Sequence, residues 1–513
     1  MNHSISSPGS SSFFHIGTSV PFFYQDFICR YEKLRGDGDY KQVIALNAAG
    51  LRTFNKADYL EHIKLMELSW DGEVICDVER QTQLHIKNLI VDLIEKGAIN
   101  REKYEIFTCK NHSQIYLTPG DNWAIKLVKV DNELIPRFKS SELGYIYCPG
   151  VDQGLIPSFI GITNSKLKIL NTPFGELPVK EIPGITYPML FFESDSVKKV
   201  EVKSDNSTKI ELEFDSQRVY KCTFCDEILI PTSHDGWIID YEQEVDISHI
   251  KGVVPRKHWE TLLSEICRRQ IISRERMQGT GISTIDLSQS IGISGMVIDP
   301  EFCIQFLPII QANNEGTAVD SLFISMMNQK YVINSARLSN LFNNRIIENI
   351  YVLGVLRGMD NQIMRKSNNN VIELKSIIEL YGIDSVRFYI AKTNLLEKAS
   401  RIFEYSTLIY YKRFVERLQL KFVKGRVVEK IDIHDDFENL SQNFEINMGK
   451  RNFLRAVNEL EKFFSRLSGD IPTDRKDLNN LYTSLSYLEC LAPTLAQHIR
   501  ETIDKRVKQK LNN

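Results

Sequence analysis

Three stretches of this chain combine residue types and spacings that suit chemistry. The first is "SSPGSSSFFHIGTSVPFFYQDFICRY" over residues 6–31, a loop of small residues that runs through His15 and Gly17 into an apolar-periodic segment. Small residues let a backbone come close to a ligand. The helix start that the periodicity predicts offers unpaired N–H groups and partial positive charge, which together suit an anion such as phosphate. Taken alone, a His before a Gly at a helix start is more often an ordinary capping residue. The second stretch is "NQIMRKSNNNVIE" over 361–373, a polar, basic loop after the apolar "IYVLGVL", which taken alone is a solvated connection. The third is a pair of knuckles, "CKNH" at 109–112 and "CTFC" at 222–225. Cys109, His112, Cys222 and Cys225 are a ligand set for a tetrahedral structural zinc site. The plainer reading of the first knuckle makes Cys109 a core residue and His112 a solvated one.

The elements that would carry these stretches fall into four regions. Residues 1–108 alternate apolar runs with helical patterns. "YKQVIALNAAG" reads as a buried strand ending in a small-residue turn, and "QTQLHIKNLIVDLIEKGAIN" as a helix with i, i+3, i+4 apolar spacing that stops at Lys96-Gly97. Strands separated by helices imply a parallel, doubly wound sheet. Residues 109–239 change character. "QIYLTPGDNWAIKLVKV", "SKLKILNTPFGELPV" and "KKVEVKSDNSTKIELEF" alternate between turn residues and predict a β-rich insert. Residues 240–395 return to α/β and end in "SIIELYGIDSVRFYIA". Residues 396–513 read as amphipathic helices with nothing strand-like, "NMGKRNFLRAVNELEKFFSRLSG" being the clearest.

Charge and composition bound the partners. The 63 Lys and Arg against 66 Asp and Glu leave a net charge of -3, so binding to nucleic acid would need a local patch. Two stretches could supply one: segment 396–430, with nine basic residues against four acidic, and "DKRVKQK" near the end of the chain. Charged helix faces are more often simply solvated. No run approaches the roughly 18 apolar residues of a membrane span. "MNHSISSPGS" lacks the basic and apolar regions of a signal peptide. Nine cysteines scattered mostly singly suit a reducing compartment. The expectation is a cytoplasmic protein with no membrane partner.

Taken together, the motifs resemble those of the class I aminoacyl-tRNA synthetases of the leucyl, isoleucyl, valyl and methionyl subgroup, and most of all the leucyl type. That type carries PYPSG, HxGH and DxIARY in its first loop and helix; here Pro8, His15, Gly17, Asp26, Arg30 and Tyr31 fall on matching positions without a gap. "LNAAGLR" resembles its WDAFGLP at Ala48, Gly50 and Leu51, "SWDGE" its DWxRE, and "IISRERMQGTGI" its ISRQRYWGTPI. The KMSKS signature followed by GNV is answered by "IMRKSNNNV" at 363–371, and YGADxxRxY by "LYGIDSVRFYI". The resemblance implies a Rossmann-type parallel sheet split by a β-rich insert, followed by a helical bundle like an anticodon-binding domain. It implies activation of an amino acid or related carboxylate by ATP, with Mg²⁺, to an acyl-adenylate, and transfer to tRNA or another acceptor. His15, Lys366 and Ser367 would be catalytic, and Pro8, Gly17, Thr18, Arg365 and Asn368 would surround the ATP. Ser6, Ser7, Gly9 and Asn47 would line the substrate pocket. Related synthetases also carry zinc in this insert, although an insert of this length is short for their full proofreading domain.

The departures from the family pattern are specific. Thr18 stands where HxGH has its second His, and Ile363 where KMSKS has its first Lys. Arg365 is a cation that the pattern does not contain. Asn47 replaces the Asp that faces the substrate's ammonium, and Ser6, Ser7 and Gly9 replace bulky walls of the leucine pocket. These changes keep open a second expectation, a catalytically degenerate paralogue that binds RNA or a small ligand.

Overall fold

The computed structural model describes residues 3–6, 15–36, 40–46, 56–70, 72–108, 115–117, 133–140, 144–147, 160–162, 169–172, 175–181, 199–204, 209–219, 230–241, 248–252, 269–275, 296–298, 300–326, 329–342, 346–365 and 368–511. They form two compact units: one of residues 1–98, 241–266 and 274–513, the other of residues 99–240 and 267–273.

The first unit is built on a sheet of six strands: β1 (His3–Ser6), β2 (Lys41–Leu46), β3 (Val74–Cys76), β4 (Ile250–Gly252), β5 (Val319–Ser325) and β6 (Ile347–Leu353). All neighbours are parallel and the order is β4-β6-β5-β1-β2-β3. The register runs Gln42↔Ser4↔Ser321↔Asn349 across the middle. β2 is the buried strand expected from "YKQVIAL", with five of its six residues buried. Parallel strands need crossovers, and helices supply them: α1 (Ile16–Leu34), α2 (Lys56–Leu65), α3 (Arg80–Glu95), α4 (Leu307–Glu315) and α5 (Gln329–Leu341). α3 ends where expected, with Lys96 as its C-cap.

Helix α1 is buried over most of its length because it has the sheet on one face and later helices on the other. Its sheet face carries a polar staple. The buried Gln25 amide donates from Nε2 to the carbonyls of Ser4 (2.9 Å) and Val43 (3.0 Å), so one side chain ties α1 to β1 and β2. A buried amide with its hydrogen bonds made fixes register at little net cost.

Past the sheet come α6 (Leu374–Tyr381) and α7 (Ile383–Thr393), then five helices: α8 (Tyr405–Lys424), α9 (His434–Gly449), α10 (Phe453–Arg466), α11 (Arg475–Leu491) and α12 (Pro493–Leu511). α10 buries Phe453, Ala456, Val457, Leu460, Phe463 and Phe464, an i, i+3, i+4, i+7 stripe that accounts for its strong sequence signal. The stretch read as one helix is in fact split. α9 stops at Gly449, Arg451 takes a left-handed conformation (φ 58°), and the Asn452 side chain accepts the Arg455 N–H (3.1 Å) to start α10. This region also holds strand pairing that was not expected: Val427–Val428 beside Ile471–Pro472, and Ser400–Ile402 beside Val355–Arg357. Segments of two or three residues are too short to display alternation.

The second unit is all strand among its described residues. Ile99–Thr108 pairs antiparallel along its whole length with Ile230–Asp240, so it belongs with the insert and not with the first α/β segment. Ile115–Leu117 and Arg269–Ile271 flank that pair. Seven further strands close a barrel in the order 175–181, 160–162, 144–147, 133–140, 209–219, 199–204, 169–172. The hairpins 169–172/175–181 and 199–204/209–219 start in two of the stretches whose alternation predicts strands and run two and five residues past their ends. No helix among the described residues is long and apolar enough to cross a membrane.

Candidate functional site

The sheet order reverses between β1 and β5, and in doubly wound sheets the crevice beyond the strand ends at such a point takes ligands. β1 leads through residues 7–14 into α1, and β6 leads through residues 354–373 into α6, so both connections leave from the strand-end edge. They meet there. The Ile16 N–H donates to the Ile372 carbonyl (3.0 Å), and His15 pairs with Glu373 in an isolated antiparallel bridge. These two residues are the N-caps of α1 and α6, so two helix N-termini start side by side, more than 350 residues apart in sequence. Each brings partial positive charge, although at α1 the first N–H groups are already bonded, Ile16 to the Ile372 carbonyl and Gly17 to His15 Nδ1. Glu373 contributes an opposing carboxylate, which accepts from Ser376 Oγ (2.6 Å).

His15 caps α1 through its ring. Nδ1 accepts the Gly17 N–H (3.1 Å), while Thr18 Oγ1 accepts the His15 N–H (3.1 Å) and donates to the His15 carbonyl (2.9 Å). Burial pushes the His15 pKa down to about 4. An accepting Nδ1 on a neutral ring leaves the proton on Nε2, so His15 presents a donor and no charge at neutral pH. Gly17 is needed for space. A Cβ there would stand 3.0 Å from His15 Cε1, 3.1 Å from its Nδ1 and 3.3 Å from the Leu356 carbonyl oxygen. The close approach that Gly17 permits is therefore of the chain to itself. Thr18 Oγ1 is engaged in the cap on both sides.

The second loop places Arg365 and Asn368 on the surface, with the Asn368 N–H donating to the Arg365 carbonyl (3.0 Å). Ile363, in the position of the family's lysine, is half-buried and bridges Arg357 in an antiparallel pair. Lys366, Ser367, Ser7, Pro8, Gly9 and Asn47 lie outside the described residues, as do Cys109, His112, Cys222 and Cys225; Ser6 is described only as the last residue of β1. Among the described residues near those cysteines, Thr108 pairs with Ile230. No group of acidic, His and Cys side chains among the described residues could hold a metal.

A second cluster was visible in the sequence only as motif matches. Asp26, buried on α1, accepts from Arg30 Nε (2.8 Å), from Arg387 Nη2 on α7 and from the Ser69 N–H. Arg387 also donates from Nε to the Leu491 carbonyl at the end of α11 (2.8 Å), and its guanidinium lies over the Phe27 ring (5.2 Å). Burial would raise the Asp26 carboxyl, but Arg30 and Arg387 outweigh it and hold it at about 2. Asp26 and Arg387 are fully buried where α1, α7 and α11 meet, and Arg30 lies at the edge of that cluster.

Comparison with known proteins agrees with this arrangement. Residues 329–401 match the family model described as tRNA synthetases class I (I, L, M and V). A 153-residue stretch is 23% identical to the leucine–tRNA ligase of Mycoplasmoides gallisepticum; it covers 29% of this chain and 18% of that relative. The fold is similar to that of Mycobacterium tuberculosis methionyl-tRNA synthetase in complex with methionyl-adenylate, with a TM-score of 0.60 at 10% identity over 97% of this chain and 93% of the other. It is also similar to the agnB2 LeuRS of Agrobacterium radiobacter K84, solved as a ternary complex with tRNA and LeuAMS, with a TM-score of 0.55 at 10% identity over 98% and 85%. The sheet order and the structural likeness show a Rossmann-type core of the kind found in class I synthetases. Over residues 329–401 the chain is similar to the isoleucyl, leucyl, methionyl and valyl group of these synthetases.

Proposed function

We propose that this protein activates an amino acid or related carboxylate with ATP and passes the acyl group to tRNA or another acceptor. The observation that carries the reading is the meeting of the two signature segments, with Ile16 bonded to Ile372 and the caps of α1 and α6 paired. In the reaction, a carboxylate oxygen bonds to the α-phosphorus of ATP while the bond to pyrophosphate breaks. The protein's part is to hold the phosphates in line and to offset charge. His15 Nε2–H is a neutral donor, Lys366 and Arg365 are the cations, and Ser367 and the Asn368 amide are further donors. Mg²⁺ accompanies the ATP. Pro8, Gly17 and Thr18 shape the loop around the nucleotide.

The pocket residues argue against leucine as the substrate. Ser6, Ser7 and Gly9 give up apolar contact at about 0.8 kcal/mol per buried methylene, and Asn47 offers the ammonium no counter-charge. A bulkier or more polar acid is the expected substrate. Cys109, His112, Cys222 and Cys225 are proposed to hold one Zn²⁺ that fastens the insert.

The test is ATP–pyrophosphate exchange across the standard amino acids. Exchange with one acid, lowered at least about 100-fold by Lys366→Ala, is the expected result. Efficient, selective charging with leucine would overturn the pocket reading, and absence of exchange with every acid and tRNA would favour the second. That second reading is a degenerate paralogue that binds RNA or a small ligand. It is favoured by one observation: Thr18 Oγ1, in place of an imidazole, is committed to the helix cap.

A further inference from the structure

The loop ahead of α6 is closed by one side chain. Asn370 Oδ1 accepts the Arg365 N–H (2.8 Å), and its Nδ2 donates to the Ile363 carbonyl (3.1 Å) and to both carboxylate oxygens of Asp360 (2.9 and 3.1 Å). Asp360 Oδ1 accepts the Gln362 N–H as well (3.0 Å), and the Gly358 N–H donates to the Gln362 carbonyl (2.9 Å). A Cβ at Gly358 would stand 2.7 Å from Asp360 Oδ1, so a larger residue there would displace that carboxylate. The three consecutive asparagines therefore differ in role. Asn368 bonds the Arg365 carbonyl through its backbone, Asn369 takes a left-handed turn (φ 50°), and Asn370 makes the clasp. Asparagine tolerates the left-handed region better than most residues.

The residue held on both sides of its backbone is Arg365, bonded at its N–H by Asn370 and at its carbonyl by Asn368. Its side chain is exposed and makes no ion pair within 4 Å among the described residues. The side-chain amide of Asn370 is bonded within the loop at both its oxygen and its nitrogen, whereas the side chain of Arg365 is exposed. We propose that Asn370 is a positioning residue, anchored by Asp360, that sets the backbone of Arg365 so that its guanidinium meets the phosphates of ATP. This rests on the activation reaction proposed above. An exposed guanidinium suits a phosphate because its N–H groups form a planar fork, and a fixed backbone lowers the entropy lost when the side chain binds.

The test is the affinity of the full chain for ATP with Mg²⁺, measured by calorimetry beside exchange kinetics. Arg365→Ala and Asn370→Asp should each weaken ATP binding by about tenfold, the scale of one charge-assisted contact. The double variant should be no weaker than Arg365→Ala, because Asn370 acts through Arg365. Asn370→Asp puts two carboxylates together, so combining it with Asp360→Asn should restore binding in part, while thermal stability separates this from misfolding. Additive losses, or ATP affinity unchanged in Asn370→Asp, would overturn the proposal. If Asn370→Asp does not fold, Asp360→Asn takes its place, with weakened ATP binding expected and unchanged binding decisive against. A parent protein that binds ATP but exchanges no pyrophosphate would sink the activation reading and leave the clasp to be judged by affinity. A parent that binds no ATP would remove Arg365 as a phosphate contact.

Discussion

The guanidinium of Arg387 is bonded to the carboxylate of Asp26, 361 residues earlier, and neither side chain is exposed to solvent. This pair joins α1, which carries the His15 cap, to α7 and through the Leu491 carbonyl to the end of α11. Burial lowers the Arg387 pKa and the facing Asp26 opposes that, and a guanidinium keeps its charge in a folded protein.

Removing Arg387 should be more damaging than removing any surface charge. Arg387→Met strands a buried Asp26 with only Arg30 and a backbone N–H, a change that typically costs about 3–5 kcal/mol. The double change Asp26→Leu with Arg387→Met should recover most of that loss in urea unfolding. Recovery of less than a quarter would mean that packing, and not the stranded charge, was the cause.

The two aspartates near Arg387 should impose opposite pH slopes. Asp26 is held at about 2, below its ordinary 3.8, so the stability it contributes is full above pH 4 and is lost as pH falls through 2. Asp384, buried at the start of α7 with one oxygen accepting the Leu495 N–H (2.6 Å), is pushed by burial up to about 6. Its neutral form is favoured in the folded chain, so stability falls as pH rises from about 4 through 6. Asp384→Asn should therefore gain Tm relative to the parent at pH 7.5 and not at pH 4. Equal shifts at both values would contradict the placement of that proton.

His15 should behave as a cap that needs a neutral ring. Its folded pKa of about 4 lies below the ordinary 6.5, so unfolded chains take up the proton first and stability declines as pH falls from 6.5 towards 4. His15→Ala should cost about 1 kcal/mol, the usual loss of an N-cap, and His15→Asn less. Both should lower exchange, because neither supplies an imidazole Nε2–H. Gly17→Ala should keep the fold and reduce exchange, since its Cβ meets the His15 ring at 3.0 Å. Parent-like exchange in that variant would show that the ring need not stay where it is.

Purified protein should carry close to one zinc per chain by elemental analysis, and Cys222→Ser should lose it, with the insert becoming protease-sensitive. Metal-free protein with an intact insert would leave the cysteines as small apolar residues.

Local patterns in the sequence were enough to determine the elements whose burial is periodic or continuous. β2, α3, the stripe of α10 and the hairpins of the insert all follow from apolar spacing and turn residues, which act over a few positions. The candidate site was legible as two loops with matching motifs, and His15 could be read as cap or ligand contact because a helix start is recognisable in one dimension. Other features depend on residues far apart in the chain. No spacing rule says that Asp26 faces Arg387, that Ile16 bonds Ile372, or that Ile99–Thr108 leaves the α/β sheet to pair with Ile230–Asp240. Even Asn370, in a short polar run, looks like its two neighbours until the loop closes and one amide meets Asp360, Ile363 and Arg365 at once. Hydrogen bonds and ion pairs are short-ranged and directional, so partners distant in sequence are chosen only when packing brings them together.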